Sequence, residues 1–139
     1  TRRQRPADVL REQMEAGHPV NIAVDCLGGD MMGECLPYMA RGGRWIVIAT
    51  LAGDITAVNL RTIYTRGIRL IGSTLRSRPP QVKAEILAAL VKTVWPKVES
   101  GEVRPTIYRT LPIERAQEAH AILERGENIG KVVLTVSAG

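Results

Sequence analysis

The stretch Val24-Asp25-Cys26-Leu27-Gly28-Gly29-Asp30 (VDCLGGD) closes a nearly continuous apolar run from Val20 to Leu27. A second glycine pair, Gly42-Gly43, opens another such run from Arg44 to Thr50, followed by Leu51-Ala52-Gly53. A third spans Ile68 to Thr74. Short runs that are apolar at almost every position fit strands covered on both faces, as in parallel sheets. Between the first two runs Asp30 is placed to cap a helix with Met32, Cys35, Leu36 and Met39 on one side. Pro37 removes a backbone donor there and predicts a kink or break. Asn59 to Arg66 reads as a short helix ended by Gly67, and residues 6 to 16 as another, with Pro6 at its first turn and Gly17 at its end. Strands alternating with helices through about residue 100 predict an α/β fold, a parallel sheet with right-handed crossovers. Ligands of such sheets lie beyond the carboxyl ends of the strands. Gly28-Gly29, Ala52-Gly53 and the segment after Gly72 fall at three such ends.

Downstream, Pro79 opens a long helix to about Glu99 with Ile86, Leu87, Leu90, Val91 and Val94 as its apolar stripe; Pro96 bends its last turn and Gly101 ends it. A strand is expected over Thr106 to Leu111. Pro112 then starts a helix to Arg125, ended by Gly126, with Ala116, Ala119, His120 and Leu123 facing inward. Lys131 to Val136 reads as the last strand.

Composition excludes several classes. With 19 Lys and Arg against 14 Asp and Glu, the chain carries a net charge of +5, weak evidence for nucleic acid by itself. Two Trp, three Tyr and no Phe leave little for a base-stacking surface, so no specific nucleic-acid partner is expected. No apolar run reaches the roughly 18 residues that a membrane span requires. Cys26 and Cys35 suit a reducing compartment, and a cytoplasmic location is expected. They form no ligand cluster with His18 or His120, so no metal is expected. The chain opens Thr1-Arg2-Arg3 rather than with Met and shows no signal peptide, which predicts a piece of something longer.

The motifs VDCLGGD, ARGGRWIVIATLAGD, TRGIRLIGSTLRSR and VWPKVESGEVRPTIYRTLPIERAQEAHAILERGENIGKVVLTV together resemble the zinc-independent quinone oxidoreductase (zeta-crystallin-like) branch of the medium-chain dehydrogenase/reductases. The resemblance covers nearly the whole chain and is most specific from Gly42 to Val136. It implies a parent in which a Rossmann domain is set between parts of a catalytic domain. Residues 1–101 would then be the C-terminal half of the NAD(P)-binding Rossmann domain, a partial Rossmann fold holding half of a doubly wound parallel sheet, and 102–139 the last segment of the GroES-like catalytic domain. The glycine-rich phosphate turn of the family, GxGxxG or AxGGVG, does not occur here.

The same resemblance implies the site. Gly29 and Asp30 match positions that reach the cofactor. The loop Ala49, Thr50, Leu51, Ala52 and Gly53 matches the segment passing the nicotinamide half, and Ser73, Thr74 and Leu75 match a second contact on that side. Asn128, in the NIGK motif, matches a polar contact. NADPH is the implied cofactor, and a quinone or other α,β-unsaturated carbonyl compound the implied hydride acceptor. No acid–base residue is required, because the cofactor carries the chemistry. Asp25 reads as structural, His120 as a packed, hydrogen-bonded side chain, and Arg76 and Arg78 as a solvated basic patch or contacts to anions. A homodimer is implied through pairing of the strand 68–74, an edge that needs cover.

Three functional readings follow. The first is a fragment of a quinone or enone reductase, with enoyl reductase on acyl thioesters as its variant. The second is a nucleotide- or RNA-binding module without turnover. In the third the isolated chain is inactive, since the pyrophosphate normally rests on a helix N-terminus after the first strand of such sheets.

Overall fold

A computed structural model describes residues 4–136, which form two compact units dividing at Pro79/Pro80. This division falls before the long helix, whereas the resemblance places the domain boundary after it, at 101/102.

The first unit contains α1 (Pro6–Glu15), β1 (Ile22–Asp25), α2 (Gly29–Cys35), a 3₁₀ turn (Leu36–Tyr38), β2 (Arg44–Val47), α3 (Leu60–Arg66) and β3 (Arg69–Gly72). The strands form one parallel sheet in the order β1-β2-β3. Trp45 pairs with Ala23 on one side and Leu70 on the other, and Val47 with Asp25 and Gly72. All three strands therefore end at one edge. Each helix is punctuated as its residues dictate. Pro6 occupies the first turn of α1, where a missing N–H costs nothing. Asn59 caps α3, its Oδ1 accepting from the N–H groups of Arg61 (3.0 Å) and Thr62 (3.4 Å). Gly67 ends that helix in the left-handed conformation. At Pro37 the α2 helix tightens into the 3₁₀ turn, so the expected break is present.

Two expectations for this unit are corrected. The first is the helix cap. Asp30 lies inside the first turn of α2; the capping residue is Gly28, with no side-chain cap. The helix end is closed by backbone instead, because the Gly29 N–H donates to the Gly53 carbonyl at 2.9 Å. The second concerns sheet cover. The core gathers Ala7, Met32, Cys35, Leu36, Met39, Trp45 and Ile68, joined by Ala23, Val47 and Ile63 from the strands and α3. All the helices of this unit thus share one face of the sheet. On the other face Ile22 and Val24 are 49% and 65% exposed, so β1 is covered on one side rather than two.

The second unit contains α4 (Pro80–Thr93), α5 (Trp95–Glu99), β4 (Ile107–Pro112), a 3₁₀ turn (Ile113–Arg115), α6 (Ala116–Glu124) and β5 (Lys131–Thr135). The expected long helix is interrupted at Val94, with Pro96 in the first turn of α5. Its stripe of Ile86, Leu87, Leu90, Val91 and Val94 is exposed. β4 and β5 pair in parallel, and Leu111, Ala119 and Ile122 pack with Val132 and Leu134 beneath α6. Here the expected inward face is corrected. His120 and Leu123 are exposed, and Ile122 is buried in their place. The turn at 113–115 has about three residues per revolution, which rotates the following helix relative to a uniform α-helical count. The salt bridges of Glu118 with Arg109 (3.2 Å) and Arg115 belong to that register. Among the described residues no helix is long and apolar enough to cross a membrane.

Candidate functional site at the carboxyl edge of the sheet

The last residue of β1, Asp25, organises the edge. It is 4% exposed, and its carboxylate accepts three hydrogen bonds. Oδ1 takes the N–H groups of Leu27 (2.8 Å) and Gly28 (3.0 Å), and Oδ2 takes Nε1–H of Trp45 on β2 (3.0 Å). A buried carboxylate is tolerable only with such partners, and three satisfy it. The structural reading of Asp25 holds.

The loop after β2 is laced to the turn after β1. Ile48 donates to the Asp25 carbonyl (2.8 Å), Leu51 to Cys26 (3.1 Å) and Ala52 to Leu27 (2.7 Å), while Gly29 donates to Gly53 (2.9 Å). Gly28 and Gly53 form an isolated parallel bridge. Thr50 Oγ1 donates to the Asp54 carboxylate. Gly29, Thr50, Leu51, Ala52 and Gly53 are thus brought together, with Asp30 exposed in the adjacent helical turn.

A different subset lines an open cleft of about 570 Å³ between the ends of β2 and β3: Ile48, Ala49, Ser73, Thr74, Leu75 and Arg76. At the cleft Ser73 continues the ladder past β3, its N–H donating to the Val47 carbonyl at 2.9 Å. Arg78 folds back on this segment, with Nε 3.2 Å from the Thr74 carbonyl, so its guanidinium serves the turn. Ile48 is the lining residue that sequence reasoning missed; its only signal was its place as the last β-branched residue before Ala49. Asn128 belongs to the second unit, where its Nδ2 donates to the Gly130 carbonyl (2.7 Å) and shapes the turn before β5.

The cleft suits a flat polar ligand. Ala49 and Ser73 are small, Ile48 and Leu75 are apolar, Ser73 and Thr74 bring hydroxyl groups, and Arg76 brings a cation. A second cavity of about 280 Å³ runs along β1 between Leu10, Val24, Leu27 and Met31 and is largely apolar.

A parallel sheet with its cleft at the carboxyl edge places the chain among the Rossmann-like α/β dehydrogenase folds. The sequence profile of the zinc-binding dehydrogenase family matches residues 3–134, and the chain belongs to that family. It is 23% identical over 117 residues to quinone oxidoreductase-like protein 2 of Bos taurus, covering 84% of this chain and 33% of that protein. A highly reducing polyketide synthase of Emericella nidulans is 28% identical over 120 residues, covering 86% of this chain and 5% of the synthase. Among solved structures, an NAD-dependent alcohol dehydrogenase superposes with a TM-score of 0.63 at 26% identity, over 94% of this chain and 35% of that one. The chain therefore spans about a third of the length of the quinone oxidoreductase-like relative and of the alcohol dehydrogenase. The family description names zinc, but the described residues contain no group of three or more His, Cys, Asp or Glu side chains able to hold a metal ion.

Proposed function

We propose that this chain forms the nicotinamide-side part of an NADPH-dependent oxidoreductase that delivers hydride to a quinone or another α,β-unsaturated carbonyl compound. The observation that carries this reading is the cleft between the ends of β2 and β3, lined by Ala49, Ser73, Thr74 and Leu75, where doubly wound sheets bind their ligands. When bound, the nicotinamide supplies the hydride. The chain's own part is to hold and orient it. Ala49 leaves room for the ring, and the hydroxyl groups of Ser73 and Thr74 offer donors and acceptors to its carboxamide. Gly29, Asp30 and the loop Thr50 to Gly53 border the site from the β1 side. The names of the bovine relative and of the alcohol dehydrogenase support a nicotinamide-dependent oxidoreductase. The likeness to a polyketide synthase favours a variant in which the acceptor is an enoyl thioester.

Because this sequence carries no glycine-rich phosphate turn, the chain alone is proposed to bind NADPH weakly and not to turn over. Titration of the chain with NADPH, followed by nicotinamide fluorescence, tests the reading. Saturable binding supports it, and no binding up to millimolar cofactor removes it for this chain. The exposed edge strand β3 is proposed to pair with its copy in a homodimer, which a dimer-scale mass by light scattering would support and a monomer mass would overturn.

A further inference from the structure

We propose that Asp25 is the positioning residue for the loop 49–53. Two peptide groups carry the argument. The Cys26–Leu27 peptide gives its N–H to Asp25 Oδ1 and its carbonyl to the Leu51 N–H. The Leu27–Gly28 peptide gives its N–H to the same oxygen and its carbonyl to the Ala52 N–H. A peptide group is planar and trans, so N–H and C=O point in opposite directions. Holding both N–H groups on one carboxylate oxygen therefore aims both carbonyls at the loop. The carboxylate is itself held from the other side by Trp45 Nε1, which references the turn to the middle strand β2. Gly28, at φ +64°, supplies the reversal that lets Gly29 reach Gly53 directly afterwards. Ala49, which lines the cleft, precedes the anchored residues Leu51 and Ala52 by two and three positions. The place of one cleft wall is thus set by a side chain that does not touch the ligand. The consequence for cofactor binding rests on the proposed function; the positioning of the loop does not.

Asp25→Asn and Trp45→Phe test this. Asn retains an acceptor for the two N–H groups but turns an N–H donor toward Trp45, whereas Phe keeps an aromatic ring at the buried position and removes the indole donor. Hydrogen exchange is read amide by amide, with NADPH titration alongside. The expected result is exchange about tenfold faster, the scale of one lost buried hydrogen bond, at Leu51, Ala52 and Gly29. Ala40 and Ile68, bonded to Val20 and Ile63, should keep their protection, and NADPH should bind more weakly. Equal loss at all these amides, or none, overturns the proposal by reducing Asp25 to a general contributor to stability. Selective loss in a chain whose unaltered form does not bind NADPH upholds the positioning role and overturns the cofactor reading instead. Should Asp25→Asn fail to fold, Trp45→Phe alone decides.

Discussion

Gly28 and Gly53 meet across a parallel bridge at the carboxyl edge of the sheet, so closely that a β-carbon on Gly28 would stand 2.7 Å from the Gly53 carbonyl oxygen. Gly28 also holds φ at +64°, where other residues are strained. Gly28→Ala is therefore expected to destabilise the first unit by about 2–4 kcal/mol, the sum of left-handed strain and overpacking. Urea unfolding followed by Trp45 fluorescence measures it. Loss below 1 kcal/mol would mean that the bridge gives way easily.

The cleft predicts its own blockade. Ala49→Leu adds three carbons to a wall lined opposite by Ser73 and Thr74. NADPH affinity should fall by about tenfold or more while the unfolding midpoint stays within error, since a side chain entering an open cleft disturbs no core contact. Equal affinity in the variant would place the ligand elsewhere.

The two cysteines should separate chemically. Cys26 is exposed and Cys35 is fully buried; burial, with the nearby charges of Glu34 and Asp25, pushes the Cys35 thiol up to about 11. At pH 8 one equivalent of thiol is expected to react quickly with a disulfide reagent and the second only after unfolding. The sign for stability follows. The folded thiol holds its proton where the unfolded one, at about 9, has lost it, so the contribution of Cys35 is complete below pH 9 and declines as pH rises toward 11. Cys35→Ala should flatten that decline.

Removing the cap of α3 is the mildest test. Asn59→Ala strips the acceptor from two N–H groups and should cost about 1 kcal/mol. Asn59→Asp should restore most of it, which chemical denaturation of the pair would show.

Local chemistry was legible in the sequence wherever a residue acts within its own turn. Pro6 opening α1, Gly67 ending α3 and Pro37 breaking α2 all follow from backbone rules that need only neighbouring residues. The same holds for the three parallel strands, whose apolar runs announced them. Properties set by distant partners were less legible. Asp30 looked like a cap because a carboxylate before a helix usually is one, yet the Gly53 carbonyl, far along the chain, already occupied the end of α2. His120 looked inward by spacing, but the packing of α6 on Leu111, Val132 and Leu134 turned Ala119 and Ile122 inward instead.

For the site, the resemblance gathered one list of residues and the structure divided it. Ala49, Ser73, Thr74 and Leu75 share a cleft; Gly29 and Leu51 to Gly53 are bound into a backbone junction beside it; Asn128 shapes a turn in another unit. Sequence by itself determined which residues form strands, which turns end them, and that the strand ends carry small residues, because propensity, proline and glycine act locally. Only the tertiary structure decided that one carboxylate, Asp25, holds the first of those ends against the second, and which side chains meet across the cleft. Both depend on hydrogen bonds and packing between segments some twenty or more residues apart, which no local preference encodes.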